Sequence, residues 1–287
     1  MSVEAPTGAA DNSQDPLLSP RQAEERFRSK NGPHIPRDQQ ELLWQVLTCT
    51  PQEFILDTLS ATFDWTSGIL ERPRLWRDPI YQGKEEPRGD GSAVVILPGF
   101  LAPRAWYWDT ERFLNKAGYL PVIFQPQVVN GRISFDLVEK TLNFLSEIKD
   151  QTGRKVAILA HSLGGYQARL AHLGNPEQFE EAVDPVFLAA SPMPEWVNKA
   201  VAAFFLATQR RQDLDRLAGM LSNGHEVDDF GPVAVFRLIG RHDVVVKENG
   251  NGQKNSQFFF NGSHSNLPAD PDVLRFVISR LPQRNGR

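Results

Sequence analysis

The segment that most restricts the fold of this chain runs from residue 155 to 165, Lys-Val-Ala-Ile-Leu-Ala-His-Ser-Leu-Gly-Gly. A β-branched and apolar run here ends at a serine, and a helix-length stretch follows at once. A chain that passes this abruptly from strand to helix must hold Ser162 in a strained backbone conformation. Its hydroxyl is thereby pushed out above the strand end. Side chains two residues before and two after would collide in so sharp a turn, which accounts for Ala160 and Gly164. Gly165 lets the helix approach the neighbouring strand.

The rest of the chain gives that turn its setting. From residue 92 onward, short β-branched runs at 93–97, 121–124, 155–159, 185–188 and 233–239, with a weaker one at 257–260, alternate with amphipathic stretches such as 135–148 and 165–173. Strands alternating with helices argue for an α/β domain whose mainly parallel sheet is covered on both faces. Residues 1–37 carry five prolines among small and charged residues, and are expected to be a disordered tail. Residues 38–87 read as a helical prelude and linker. Asp38 with Glu41, and Thr50 with Glu53 and Pro51 between, fit two capping boxes. Ile55, Leu59 and Phe63 then recur every four residues, a face that either packs on the core or rests on lipid.

Composition narrows the function classes. Of the 287 residues 40% are hydrophobic, enough for a sizeable core, and the formal net charge of −4 is not gathered into any basic block. A nucleic-acid partner is therefore not expected. Cys49 is the only cysteine, which excludes an internal disulfide or a cysteine-based metal cluster and leans toward a reducing compartment. The N-terminus shows no basic start followed by an apolar run, and no stretch of about 18 apolar residues occurs. The expectation is a cytoplasmic protein, with peripheral membrane contact as the alternative.

With a strand before the serine, a helix after it and His161 preceding it, the segment resembles the nucleophile turn of the α/β-hydrolase superfamily, and within it the lipases and esterases. The usual Gly-x-Ser-x-Gly has Ala160 in its first place here, a variant found among small lipases. The resemblance covers residues 88–287, the expected catalytic domain. It implies a Ser, acid, His order along the chain, with Ser162 as nucleophile. Of the six histidines, His34 lies in the tail and His161 adjoins the serine, with its side chain expected to point away from the cleft. His172 is about 15 Å down the helix at 1.5 Å per residue, His225 sits in a polar connection and His242 precedes the best acid. His264, in a loop before a terminal helix, is left as the base.

For the acid, the resemblance favours Asp243, after a strand and the Gly240 turn. Asp228 and Asp229 are alternatives, while Asp270 and Asp272 read as caps of the last helix. The oxyanion-hole donors it implies are the N–H groups of Leu163 and of Phe100, or else Leu101, in the loop Pro98-Gly99-Phe100-Leu101; relatives often carry His-Gly at the place of Pro98-Gly99. Trp106 and Trp108 could line an acyl wall. Residues 194–225 stand where this fold often carries a helical lid, in which Phe204 and Phe205 would cover an acyl chain. The implied activity is hydrolysis of carboxylic esters, lipid or otherwise apolar, with no metal or organic cofactor required. An acyltransferase with the same triad is the alternative, and a non-catalytic binding protein on the same fold is a further one.

Overall fold

A computed structural model of the chain describes residues 51–126, 134–191, 230–245 and 257–284, all within the compact unit Ile35–Arg287. The expected tail, the first capping box and the lid segment with Phe204 and Phe205 lie outside the described residues.

Six strands form one sheet: β1 (Ala93–Leu97), β2 (Leu120–Ile123), β3 (Val156–His161), β4 (Val183–Ala189), β5 (Val235–Gly240) and β6 (Gln257–Phe260). Their order is β2-β1-β3-β4-β5-β6, and every described pairing is parallel. Parallel strands need crossovers, and the helices supply them. The described helices are α1 (Pro51–Trp76), α2 (Trp108–Lys116), α3 (Phe135–Thr152), α4 (Leu163–Gly174), α5 (Pro176–Ala182) and α6 (Pro271–Arg280).

Because side chains alternate along a strand, each central strand feeds two cores. Val95, Leu97, Ile158, Ala160, Val186 and Leu188 pack with Leu142, Leu145, Ala168 and Phe179 from α3, α4 and α5. Val94, Ile96, Ala157, Leu159, Phe187 and Ala189 pack on the other side with Phe113, Leu114, Val273 and Val277 from α2 and α6. This double burial is why β1 and β3 are apolar almost throughout rather than alternating.

The order of the strands also decides where a site can form. The chain runs outward from β1 to β2, then returns to β3 on the other side of β1. The crevice beyond the carboxyl ends of β1 and β3 is a topological switch point, where ligands of open parallel sheets bind. The loop after β1 and Ser162 after β3 both open there.

One reading of the sequence is corrected at α1. In this helix, described from Pro51 onward, Leu59 and Phe63 do not pack inward; they are 61% and 71% exposed, and Leu70 is 79% exposed. The inward side carries Asp64, Gly68 and Leu75 instead, and Asp64 is 1% exposed. The inverted polarity has a cause in what that side must bind.

Candidate active site

Ser162 sits between β3 and α4 with φ 50 and ψ −117, outside the regions that residues with a Cβ normally occupy. Its N–H is tied to the Ala189 carbonyl at 2.9 Å, and its own carbonyl accepts the Gly165 N–H at 2.9 Å. The surrounding packing holds the strain in place. A methyl at Gly164 would stand 2.1 Å from the Leu97 carbonyl oxygen, and one at Gly165 would stand 1.8 Å from Ser191 Oγ. The helix can therefore start this close to β1 and β4 only with glycine at both positions. Leu163 is the first residue of α4, so its N–H has no partner within the helix.

Asp243 lies in the turn that closes β5, its N–H bonded to the Gly240 carbonyl at 3.2 Å. His264 lies in the loop after β6. The two loops are joined by His242 N–H to the Gly262 carbonyl at 3.3 Å and Arg241 N–H to the Phe260 carbonyl at 2.8 Å. Within this frame His264 Nδ1 is 2.9 Å from Asp243 Oδ2 and 3.1 Å from Oδ1, while His264 Nε2 is 2.9 Å from Ser162 Oγ. A carboxylate only accepts, so Nδ1 carries the proton and the lone pair of Nε2 faces the serine hydroxyl. The three side chains form one line of hydrogen bonds. Burial works against charge on the His264 ring, but the charge and hydrogen bond of Asp243, and then the charge of Asp64, outweigh it and raise its pKa above the ordinary value.

His161 does not simply point away. It is buried, and its ring centroid is 5.3 Å from that of His264. The Gly99 N–H donates to the Tyr107 hydroxyl at 2.8 Å, so that hydroxyl turns its own proton to His161 Nδ1, also 2.8 Å away. His161 Nε2 must then carry the ring proton, which it donates to the His264 carbonyl at 3.0 Å. Burial first, then the neighbouring His264, pushes the His161 pKa down to about 3, so this ring stays neutral. One buried chain of donors thus joins the loop after β1, the serine turn and the histidine loop.

The histidine loop is held from other directions as well. Asp64 accepts the His264 N–H through Oδ2 and the Ser265 N–H through Oδ1, each at 2.8 Å. Glu71, on the next turns of α1, accepts from Ser263 N–H at 3.4 Å and its hydroxyl at 3.3 Å. A methyl at Gly68 would lie 2.3 Å from Ser265 Oγ, so the glycine lets the loop rest on the helix. Of the two aspartates read as caps of the last helix, Asp270 is the cap of α6, accepting the N–H groups of Asp272 and Val273, while Asp272 lies in the first turn.

Of the two tryptophans, Trp106 is engaged with the histidine loop and Trp108 is exposed. Trp106 donates its indole N–H to the Ser265 carbonyl at 3.0 Å, with Trp65 5.4 Å and the Arg72 guanidinium 4.8 Å from its ring. Its faces and its donor are taken up in holding the loop. Trp108 opens α2 and is 62% exposed. Phe100 packs, partly buried, against the core that contains Leu97 and Ala160. Asp64, Glu71, Tyr107 and the structural task of His161 were not expected from the sequence. Their contacts join residues far apart in the chain, and nothing local marks them.

No protein-family profile matches the chain, and no curated protein matches it either. Among solved structures it is similar to lipase B of Aspergillus fumigatus, at 14% identity and a TM-score of 0.46, over 66% of this chain and 52% of the other. It thus spans about half the length of that lipase. A monoacylglycerol lipase of Paleococcus ferrophilus is similar at 15% identity and a TM-score of 0.46, over 67% of this chain and 97% of the other. A mature lipase of Bacillus licheniformis is similar at 16% identity and a TM-score of 0.42, over 68% and 94%. Likeness this distant adds little to the architecture itself. A parallel sheet with its strained serine turn after β3 at the switch point, Asp243 after β5 and His264 after β6, has the topology of the α/β-hydrolase fold.

Proposed function

We propose that the chain is a serine hydrolase of carboxylic esters, acting through an acyl-Ser162 intermediate. The observation that carries this reading is the unbroken line from Asp243 through His264 to Ser162, at 2.9 Å on each side of the ring. In the first step His264 Nε2 takes the hydroxyl proton as Ser162 Oγ bonds to the ester carbonyl carbon. Asp243 keeps the ring in the right tautomer and stabilises the imidazolium. The N–H groups of Leu163 and Phe100 are assigned to the oxyanion. As the tetrahedral intermediate collapses, the C–O bond to the alcohol breaks and His264 returns the proton to the leaving oxygen. Water, deprotonated by the same ring, then bonds to the acyl carbon; the C–O bond to Ser162 breaks, His264 returns the proton to Oγ, and the acid leaves.

The substrate class we infer is a lipid or other apolar acyl ester, met at a lipid surface. The outward side of α1 supports it: Leu59, Phe63, Ile69, Leu70 and Trp76 are all exposed on the helix whose inner side holds the histidine loop. No described helix is long and apolar enough to cross a membrane, and the contact we propose is peripheral. Each further buried CH₂ contributes about 0.8 kcal/mol, so turnover of a series of nitrophenyl esters should climb from acetate to long acyl chains. The Ser162→Ala protein should be inactive on all of them. A profile that peaks at acetate would remove the lipid assignment. Activity that persists in Ser162→Ala would remove the hydrolase reading.

A further inference from the structure

Asp64 stands out among the buried ionisable groups. It is 1% exposed, and no cation pairs with it among the described residues. Both of its oxygens are used, each by one backbone N–H of the histidine loop. Ser265 Oγ also returns a hydrogen bond to the Asp64 carbonyl at 2.8 Å. A buried carboxylate without a counter-charge is costly to keep, and two N–H acceptors could be supplied without a net charge. The charge itself is therefore the feature to explain. It lies beside the ring that becomes an imidazolium when Ser162 gives up its proton.

We propose that Asp64 is a positioning residue for the reaction, fixing the His264 backbone onto α1 and lending negative charge that favours the imidazolium. This rests on the hydrolase reading above and extends it to a helix outside the stretch that carries the sequence resemblance. Around His264, Asp243 bonds the ring from the turn after β5, Asp64 takes the backbone N–H from α1, and the neutral His161 ring lies 5.3 Å from its ring on the β3 side; Glu71 bonds Ser263. Asp243 orients the ring through Nδ1, and Asp64 acts from the backbone side. The contribution of Asp64 is a charge, so its removal should change the acidity of His264 as well as the loop's placement.

The test is the rate at which a fluorophosphonate labels the full-length protein, followed from pH 5 to 9, in wild type, Asp64→Asn, Asp64→Glu and Ser162→Ala. The base must be neutral to act, so the acid limb of this profile reports the ionisation of His264. In Asp64→Asn the limb should move to lower pH, and the plateau rate should fall about 10- to 100-fold as the loop loses its register. Asp64→Glu keeps the charge and should keep the limb in place even where the plateau falls. It carries the test if the asparagine protein does not fold. A uniform fall with an unmoved limb in Asp64→Asn, a limb that moves upward, or a limb displaced in Asp64→Glu would overturn the proposal. Labelling that persists in Ser162→Ala would overturn the hydrolase reading itself; its loss there, with an unmoved Asp64→Asn limb, would leave that reading standing and remove only this one.

Discussion

Tyr107 and His161 show how the site is braced by buried residues outside the serine, histidine and aspartate line. The Tyr107 phenol is fully buried, and burial pushes its pKa up, so it remains a donor and an acceptor at once. Tyr107→Phe would leave the Gly99 N–H and His161 Nδ1 without their partner, at about 1–3 kcal/mol for each unsatisfied group. Urea unfolding should show that loss; a change below about 0.5 kcal/mol would show that the groups are paired otherwise. The pH dependence follows from the same network. His161 is held at about 3 in the fold and returns to the ordinary histidine value when unfolded, so between these limits the unfolded chain binds more protons. Stability from this residue is complete above the ordinary value and falls as pH drops, by up to about 1.4 kcal/mol per pH unit. His264 has the opposite sign, its contribution being full at low pH and lost as pH rises through its raised pKa. Unfolding free energies below pH 6 should therefore decline in wild type and decline less in His161→Gln.

At the scale of elements, α1 is where sequence and structure part. Leu59, Phe63, Ile69 and Leu70 face out while Asp64 and Glu71 turn to the histidine loop, because that stretch of the inner side serves backbone donors rather than a greasy core. The lipid-surface proposal makes this arrangement testable. Replacing Phe63 and Leu70 with serine removes exposed apolar area and touches no core contact, so the melting temperature should hold while co-sedimentation with phospholipid vesicles falls several-fold. Binding that is unchanged would assign that face to something other than lipid. The strands, by contrast, were legible to within about two residues, since runs such as Val94-Val95-Ile96-Leu97 suit a sheet buried on both faces and little else. α3 runs four residues past its expected end at 148, stopping only where Gly153 takes φ 66 as a left-handed cap. Apolar spacing shows which face is buried and not where the last turn closes. Ser162, Asp243 and His264 were legible because strand ends carry them. Asp64 was not, since its partners lie 200 and 201 residues away.

Across the whole molecule, the sheet order is what converts a strained serine into a site. The chain reverses its direction of winding between the paired strands β1 and β3, β5 delivers Asp243, β6 delivers His264, and α1 with the Tyr107–His161 chain braces the histidine loop. Every part of this arrangement converges on one atom, Ser162 Oγ, with the lone pair of His264 2.9 Å away. The most direct measurement is therefore peptide mapping by mass spectrometry after the native protein has reacted with a fluorophosphonate, alongside its Asp243→Asn and Ser162→Ala forms. A single adduct on Ser162 is expected, formed about 10⁴-fold more slowly in Asp243→Asn and absent from Ser162→Ala. An adduct on any other residue, or one formed at the wild-type rate without Asp243, would contradict the triad.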